Sequence, residues 1–126
     1  MYESGEMYLE TILILGIRKN LVRAVDVAEE MHLSKPSVSR ALAKLRAESC
    51  VIVDEGGHIA FTEKGRAIAE KIYERHQVLT EILTAIGVDR ETAAKDACKI
   101  EHDISDETFA AMKRHLQERR KASGSA

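Results

Sequence analysis

Cys98, Glu101 and His102 stand at i, i+3 and i+4 within the stretch Ala94 to Ser105, AKDACKIEHDIS. On a helix that spacing stacks the three side chains on one face. A thiol, a carboxylate and an imidazole are each costly to take out of water without a partner. A divalent metal ion would satisfy all three at once. The alternative is a small buried Cys beside a solvated Glu-His pair, and spacing alone does not separate the two. The elements that carry and surround these residues must decide.

The chain has 126 residues, enough for one domain or two small modules sharing a core. Charged residues make up 32% and aromatics 4%, with no Trp and one Pro, a composition that favours helices. Cys50 and Cys98 form no CxxC pair, which argues against a disulfide framework and fits a reducing cytoplasm. No apolar run approaches a membrane span, and the N-terminus lacks a basic stretch followed by an apolar core. The expectation is a soluble, cytoplasmic protein. Formal net charge is −2, so nucleic-acid binding would have to show in how the charge is distributed.

Ser4 to Lys19 reads as a first helix, with Ser4 as N-cap, Glu6 in the first turn and Arg18 and Lys19 in the last. Tyr8, Ile12 and Leu15 keep helical spacing on its core face, while Met7 and Glu10 share a neighbouring face. Arg23 to Met31 is a short helix with Val27, Ala28 and Met31 inward. After a tight connection at His32 to Ser34, Ser34 caps a helix running to about Glu48, with Pro36 in its first turn and Val38, Leu42 and Leu45 buried. Two short helices joined in this way form a helix-turn-helix.

From His32 to Ala47 there are four basic residues, Lys35, Arg40, Lys44 and Arg46, and no acid, in a chain with 21 Asp and Glu. Ser34, Lys35, Pro36, Ser37, Ser39, Arg40 and Lys44 are the candidate DNA contacts: small polar groups approach phosphates, and an Arg can reach a base edge. Short β-branched runs on either side of Gly56 and Gly57 predict a β-hairpin from Val51 to Phe61. A hairpin directly after a recognition helix is a wing. A long helix follows from Glu63 to Ile86, with Thr62 as N-cap and Ile68, Ile72, Leu79, Ile82, Leu83 and Ile86 on its apolar stripe beside His76. Asp89 caps the next helix, Arg90 to His102, and Ser105 caps a last one to about Glu118, with Phe109, Met112 and Leu116 inward. The expected fold is mainly α: a winged helix-turn-helix over 1–66, a helical metal-binding and dimerisation domain over 67–118, and a flexible tail over 119–126.

EMYLETI in the first helix, SKPSVSRALAKL in the recognition helix, FTEKGRAIA after the wing, then RHQVL and CKIEHDISDE, together resemble the diphtheria toxin repressor family, which includes the manganese transport regulators. The likeness spans about residues 3–118 and looks like the short form without the SH3-like domain. It implies a bacterial repressor that reads palindromic double-stranded operator DNA as a homodimer, with metal as corepressor and no organic small-molecule ligand.

Met7, Cys98, Glu101 and His102 match the primary metal site of the iron-type members. Manganese-type members usually carry Asp and Glu where Met7 and Cys98 stand. Thioether and thiolate are soft donors, better suited to Fe2+, Co2+, Ni2+ or Zn2+ than to Mn2+, so Fe2+ is the expected cofactor and Mn2+ the alternative within the family. His76 matches a ligand of an ancillary site and Glu10 a manganese-type ligand. Together they make a possible second site, although Thr80 and Ala94 stand where iron-type members have ligands. Arg40 replaces a Gln of the iron-type repressors, which moves base preference from adenine toward guanine. Ligation needs thiolate and neutral imidazole, so metal affinity should fall below about pH 6.5, where a free imidazole protonates. A rival of another kind is a metal-independent winged-helix regulator with Cys98 as redox sensor. An enzyme is not expected: the sequence has no nucleophile-base pair and no Gly-rich phosphate loop.

Overall fold

A computed structural model describes residues 3–124, with side chains described over 5–123. The elements follow in the order α1 (Glu3–Lys19), α2 (Ala24–Met31), α3 (Lys35–Ala47), β1 (Val51–Val53), β2 (Ile59–Phe61), α4 (Glu63–Ala85), α5 (Arg90–Ile100) and α6 (Asp106–Gly124). This is the mainly helical winged helix-turn-helix arrangement that the sequence pattern predicts. Among the described residues no helix is long and apolar enough to cross a membrane. The chain divides into two compact units, Met1–Lys71 and Ile72–Ala126. This division follows Lys71 and, like the one expected after residue 66, lies inside α4.

In the first unit α1 begins at Glu3, so Ser4 lies within the first turn and is not the N-cap. Tyr8, Ile12 and Leu15 are buried, as are Leu9 and Leu13 beside them. Arg23 takes the N-cap position of α2, and its backbone N–H donates to Asp26 Oδ2 at 2.9 Å. Ser34 caps α3 by accepting from the Ser37 N–H at 3.3 Å, with Pro36 in the first turn where its missing donor costs nothing. Val38, Leu42 and Leu45 are buried. Arg18–Glu30 and Lys19–Asp26 ion pairs hold the end of α1 to α2. Each of the three helices stops beside a left-handed residue that is not Gly: Asn20 at φ 73, His32 at φ 55 and Ser49 at φ 61. Asn and His tolerate that region better than most side chains.

The wing pairs Val51 with Phe61, Ile52 with Ala60 and Val53 with Ile59, antiparallel. Gly57, at φ 83, makes the reversal. The Ile59 N–H donates to Val22 O at 2.8 Å, which fastens the wing to the entry of α2. Thr62 joins the wing to α4: its hydroxyl donates to Ser49 O at 2.6 Å and accepts from the Gly65 N–H at 3.0 Å.

In the second unit Val78, Phe109 and Leu116 form a core with Ile82 and Ile104 packed on it. Lys113–Glu74 at 2.8 Å and Arg120–Glu81 bind α6 to α4. α4 stops at Ala85, and Ile86, expected on the buried stripe, is 67% exposed. Past the helix end it no longer follows the stripe, and Gly87 at φ 109 turns the chain. α5 is capped by Asp89, which accepts from the Thr92 N–H at 3.4 Å. It ends at Ile100, two residues earlier than expected, because the chain must turn before Ser105 caps α6. Glu101 is the C-cap residue of α5, with αR backbone, so it still continues the helical face. α6 continues to Gly124. Arg119 to Gly124 are thus helical where a frayed tail was expected: Arg, Lys and Ala are good helix formers, and the Arg120–Glu81 pair secures the segment. Residues 125 and 126 lie outside the described ones.

Gly65 sits against the backbone of the chain entering the wing, where a Cβ would fall 1.9 Å from Cys50 O. Backbone cannot swing aside as a side chain tip can. Gly65→Ala should therefore destabilise the first unit by about 1–3 kcal/mol, the usual range for overpacking. Chemical denaturation would show it as a lower midpoint, and an unchanged midpoint would count against this packing.

Candidate functional site

Two helices of the second unit bring three ligand atoms together. His76 comes from the middle of α4, Cys98 from the last turn of α5, and Glu101 from its C-cap. His76 Nδ1 lies 3.0 Å from Glu101 Oε2 and 3.7 Å from Cys98 Sγ. The three donors all fall within 4.8 Å of one another. On the other side of the same carboxylate, His102 Nε2 is 3.4 Å from Glu101 Oε1. Glu101 is fully buried, His76 half-buried, and Cys98 exposed.

The electrostatics follow from that geometry. The Cys98 sulfur first, and the Glu101 carboxylate second, favour the imidazolium of His76 against its partial desolvation, and its pKa is pushed up to about 10. The same negative charge that raises the His76 pKa would favour a cation at the cluster. A fully buried carboxylate flanked by two imidazoles and a thiol fits a divalent cation by donor chemistry: thiolate and imidazole suit the later first-row ions, and the carboxylate accepts most of them. Such an ion would take the place of the His76 proton as the charge that compensates Glu101.

The sequence pattern placed Cys98, Glu101 and His102 on one face and set His76 apart in a second site with Glu10. The structure brings His76 to Cys98 and Glu101 instead. No spacing rule could show this, because 22 residues and a change of helix separate His76 from Cys98. Met7 and Glu10 belong to α1 of the first unit, where Met7 is 39% exposed and Glu10 buried. Arg75, the residue before His76, was not singled out in the sequence at all. It is a buried arginine, and a charged residue at the edge of an apolar stripe was its only sign.

In the first unit, Ser34, Lys35, Pro36, Ser39, Arg40 and Lys44, the residues expected to contact DNA, are exposed on or beside α3, and Ser37 is half-buried. The hydroxyls of Ser34 and Ser37 are 2.9 Å apart, and Arg40 Nη2 donates to Ser37 Oγ at 3.4 Å. That chain of contacts lies along one face of the helix and holds the Arg40 guanidinium against it.

Residues 1–59 match the family model described as iron dependent repressor, N-terminal DNA binding domain. Residues 62–123 match the model described as iron dependent repressor, metal binding and dimerisation domain. The chain is 33% identical over 102 residues to the HTH-type transcriptional regulator MntR of Geobacillus kaustophilus strain HTA426, covering 81% of this chain and 72% of that one. Among solved structures it resembles the manganese regulator SloR, with a TM-score of 0.78 and 26% identity over 90% of this chain and 53% of that one. It also resembles a manganese-dependent transcriptional repressor in complex with manganese, with a TM-score of 0.77 and 25% identity over 90% of this chain and 52% of that one. The chain thus spans about half the length of these two structures.

If His76 ligates a cation its proton must leave, and affinity would then keep rising with pH well past the 6.5 of a free imidazole. About one proton should be released per ion from this residue between about pH 6.5 and 9. Competition titrations with Co2+ at constant ionic strength would measure the slope. A plateau beginning near pH 7 would remove His76 from the ligand set.

Proposed function

This chain belongs to the iron-dependent repressor family, and on that premise we propose that it is a transcriptional repressor that needs a divalent metal ion, Fe2+ before Mn2+, to hold its operator. It is a DNA-binding regulator and not an enzyme. The observation that carries the metal reading is the convergence of His76, Cys98 and Glu101, in a chain whose recognition helix displays four cations and no acid. It works as a homodimer on palindromic duplex DNA in the cytoplasm, and no organic ligand is required.

Cys98, Glu101 and His102 are the proposed primary ligands. Met7 joins them on the family resemblance, and His76 joins them on its distances to Cys98 and Glu101. Glu10 is kept as a ligand of a second site on the resemblance alone. When bound, the ion supplies positive charge and bonds that hold its ligands in one arrangement. The buried Glu101 carboxylate provides the anchoring negative charge, and the exposed Cys98 thiol sets the preference for softer ions. A ligand from α1 would make DNA affinity depend on metal, because the metal-bound state would then be the DNA-competent one and its population would rise. In the first unit, Ser34 and Ser37 orient Arg40 toward a base edge, while Lys35 and Lys44 meet phosphates.

A manganese-responsive repressor is the second reading. It is favoured by the likeness to a manganese regulator and to a manganese-dependent repressor and by the carboxylates of Glu10 and Glu101, which suit harder ions.

Anaerobic selection from a random duplex pool with Fe2+, with Mn2+ and with chelator separates these readings. A palindrome enriched with Fe2+ and weakly with Mn2+ is the expected outcome. Enrichment led by Mn2+ would move the protein to the second reading, and enrichment under chelator would take metal out of the switch. Replacing the soft donor, Cys98→Glu should shift the metal preference toward Mn2+ in the same assay. Arg40→Gln should change the selected base at one position per half-site, with about 1–3 kcal/mol of discrimination lost at a guanine. An unchanged profile would exclude Arg40 as a base reader.

A further inference from the structure

Arg75 is a buried arginine next to His76 in the chain, only 5% exposed. Its guanidinium reaches the turn between α5 and α6. Nη1 donates to the backbone carbonyls of Glu101 at 3.1 Å and Ile104 at 2.8 Å, and Nη2 donates to the Asp106 carboxylate. The same guanidinium lies over the Phe109 ring, 5.4 Å from its centroid, and Phe109 belongs to the core of the unit. One side chain therefore grips the end of α5, the turn and the start of α6.

The two neighbours on α4 meet at one residue. Successive helical side chains point about 100° apart, and this places Arg75 on the backbone of Glu101 and His76 on its carboxylate. A guanidinium suits the task because its donors sit in a rigid planar fork, whereas a lysine offers a single flexible point charge.

As a device for stability alone, this arginine is poorly made. A buried guanidinium carries a heavy desolvation cost, its Nε donates to no protein group among the described residues, and its carboxylate partner Asp106 is 75% exposed. Two of its hydrogen bonds go to carbonyls beside the metal candidates, at Glu101 and in the turn that carries His102.

We propose that Arg75 is a positioning residue of the metal centre, whose fork holds the Glu101–Ile104 turn so that the Glu101 carboxylate is presented to His76 and Cys98. The proposal rests on the metal-site reading above and adds to it an outer residue that touches no metal. Outer partners of ligands typically change metal affinity by 10–100-fold.

The test uses the full-length protein and Co2+ under anaerobic conditions. Thiolate ligation appears as a near-ultraviolet charge-transfer band, and the visible bands report ligand geometry. Arg75→Lys and Arg75→Met should each weaken Co2+ at least about tenfold and alter the visible bands. Asp106→Asn, which leaves both carbonyl bonds in place, should weaken it less than either. Amide exchange over Asp103 to Ser105 in metal-free protein should be faster in both Arg75 variants. If Arg75→Met does not fold, Arg75→Lys decides alone. Faster exchange or lower melting with wild-type Co2+ affinity and spectrum would make Arg75 a purely structural residue and overturn the proposal. No thiolate band in the wild type would remove the metal-site reading and this proposal with it, whereas a band that persists unchanged in the variants would overturn the proposal alone.

Discussion

The Glu101 carboxylate has no exposure to solvent, and the second unit is organised around that fact. A buried negative charge must be paired or neutralised. Here it is met on one oxygen by His76 at 3.0 Å and approached on the other by His102 at 3.4 Å, while Arg75 holds the backbone of the same residue. The groups that compensate it come from α4, from the end of α5 and from the turn into α6. The same arrangement raises the pKa of His76, through the Cys98 sulfur first and the Glu101 carboxylate second, and so favours its charged form beside the buried carboxylate.

The first unit has a different constraint. It must show a continuous cationic face on α3 in a chain that is acidic overall. The apolar stripe of Val38, Leu42 and Leu45 is buried, which leaves the opposite face to Lys35, Arg40 and Lys44. The wing is held from two directions, by Val22 at one strand and by Thr62 and Gly65 where α4 begins. None of these wing contacts uses a cation of α3, and Lys35, Arg40 and Lys44 are all exposed.

Much of this was legible in the chain because it depends on local chemistry. Ser34, Asp89 and Ser105 cap the helices they precede, and the Gly56-Gly57 pair turns the hairpin. The Cys98-Glu101 spacing was readable for the same reason. What could not be read depends on packing between elements. His76 finds Cys98 only once α4 and α5 lie together, and Arg75 looked like one more cation on a long polar helix. The end of α5 was misplaced because Glu101 and His102 keep helical spacing while the backbone is already turning. The end of α6 was misplaced because RRKASG reads as a solvated tail until Arg120 meets Glu81.

The helix stops at Asn20, His32 and Ser49 bear on how the molecule meets DNA. Glycine is the usual residue at such left-handed positions, and it would leave each junction free to sample many other backbone conformations. A residue with a side chain prefers other backbone regions, so each of these bends persists only because the contacts around it fix it. His32 in particular sets the angle at which α3 leaves α2. In the proposed function such fixed junctions would orient α3 before a duplex is met and leave less conformational entropy to be lost on association. Affinity gained in this way does not depend on sequence, so discrimination among operators is left to the few side chains that reach the bases.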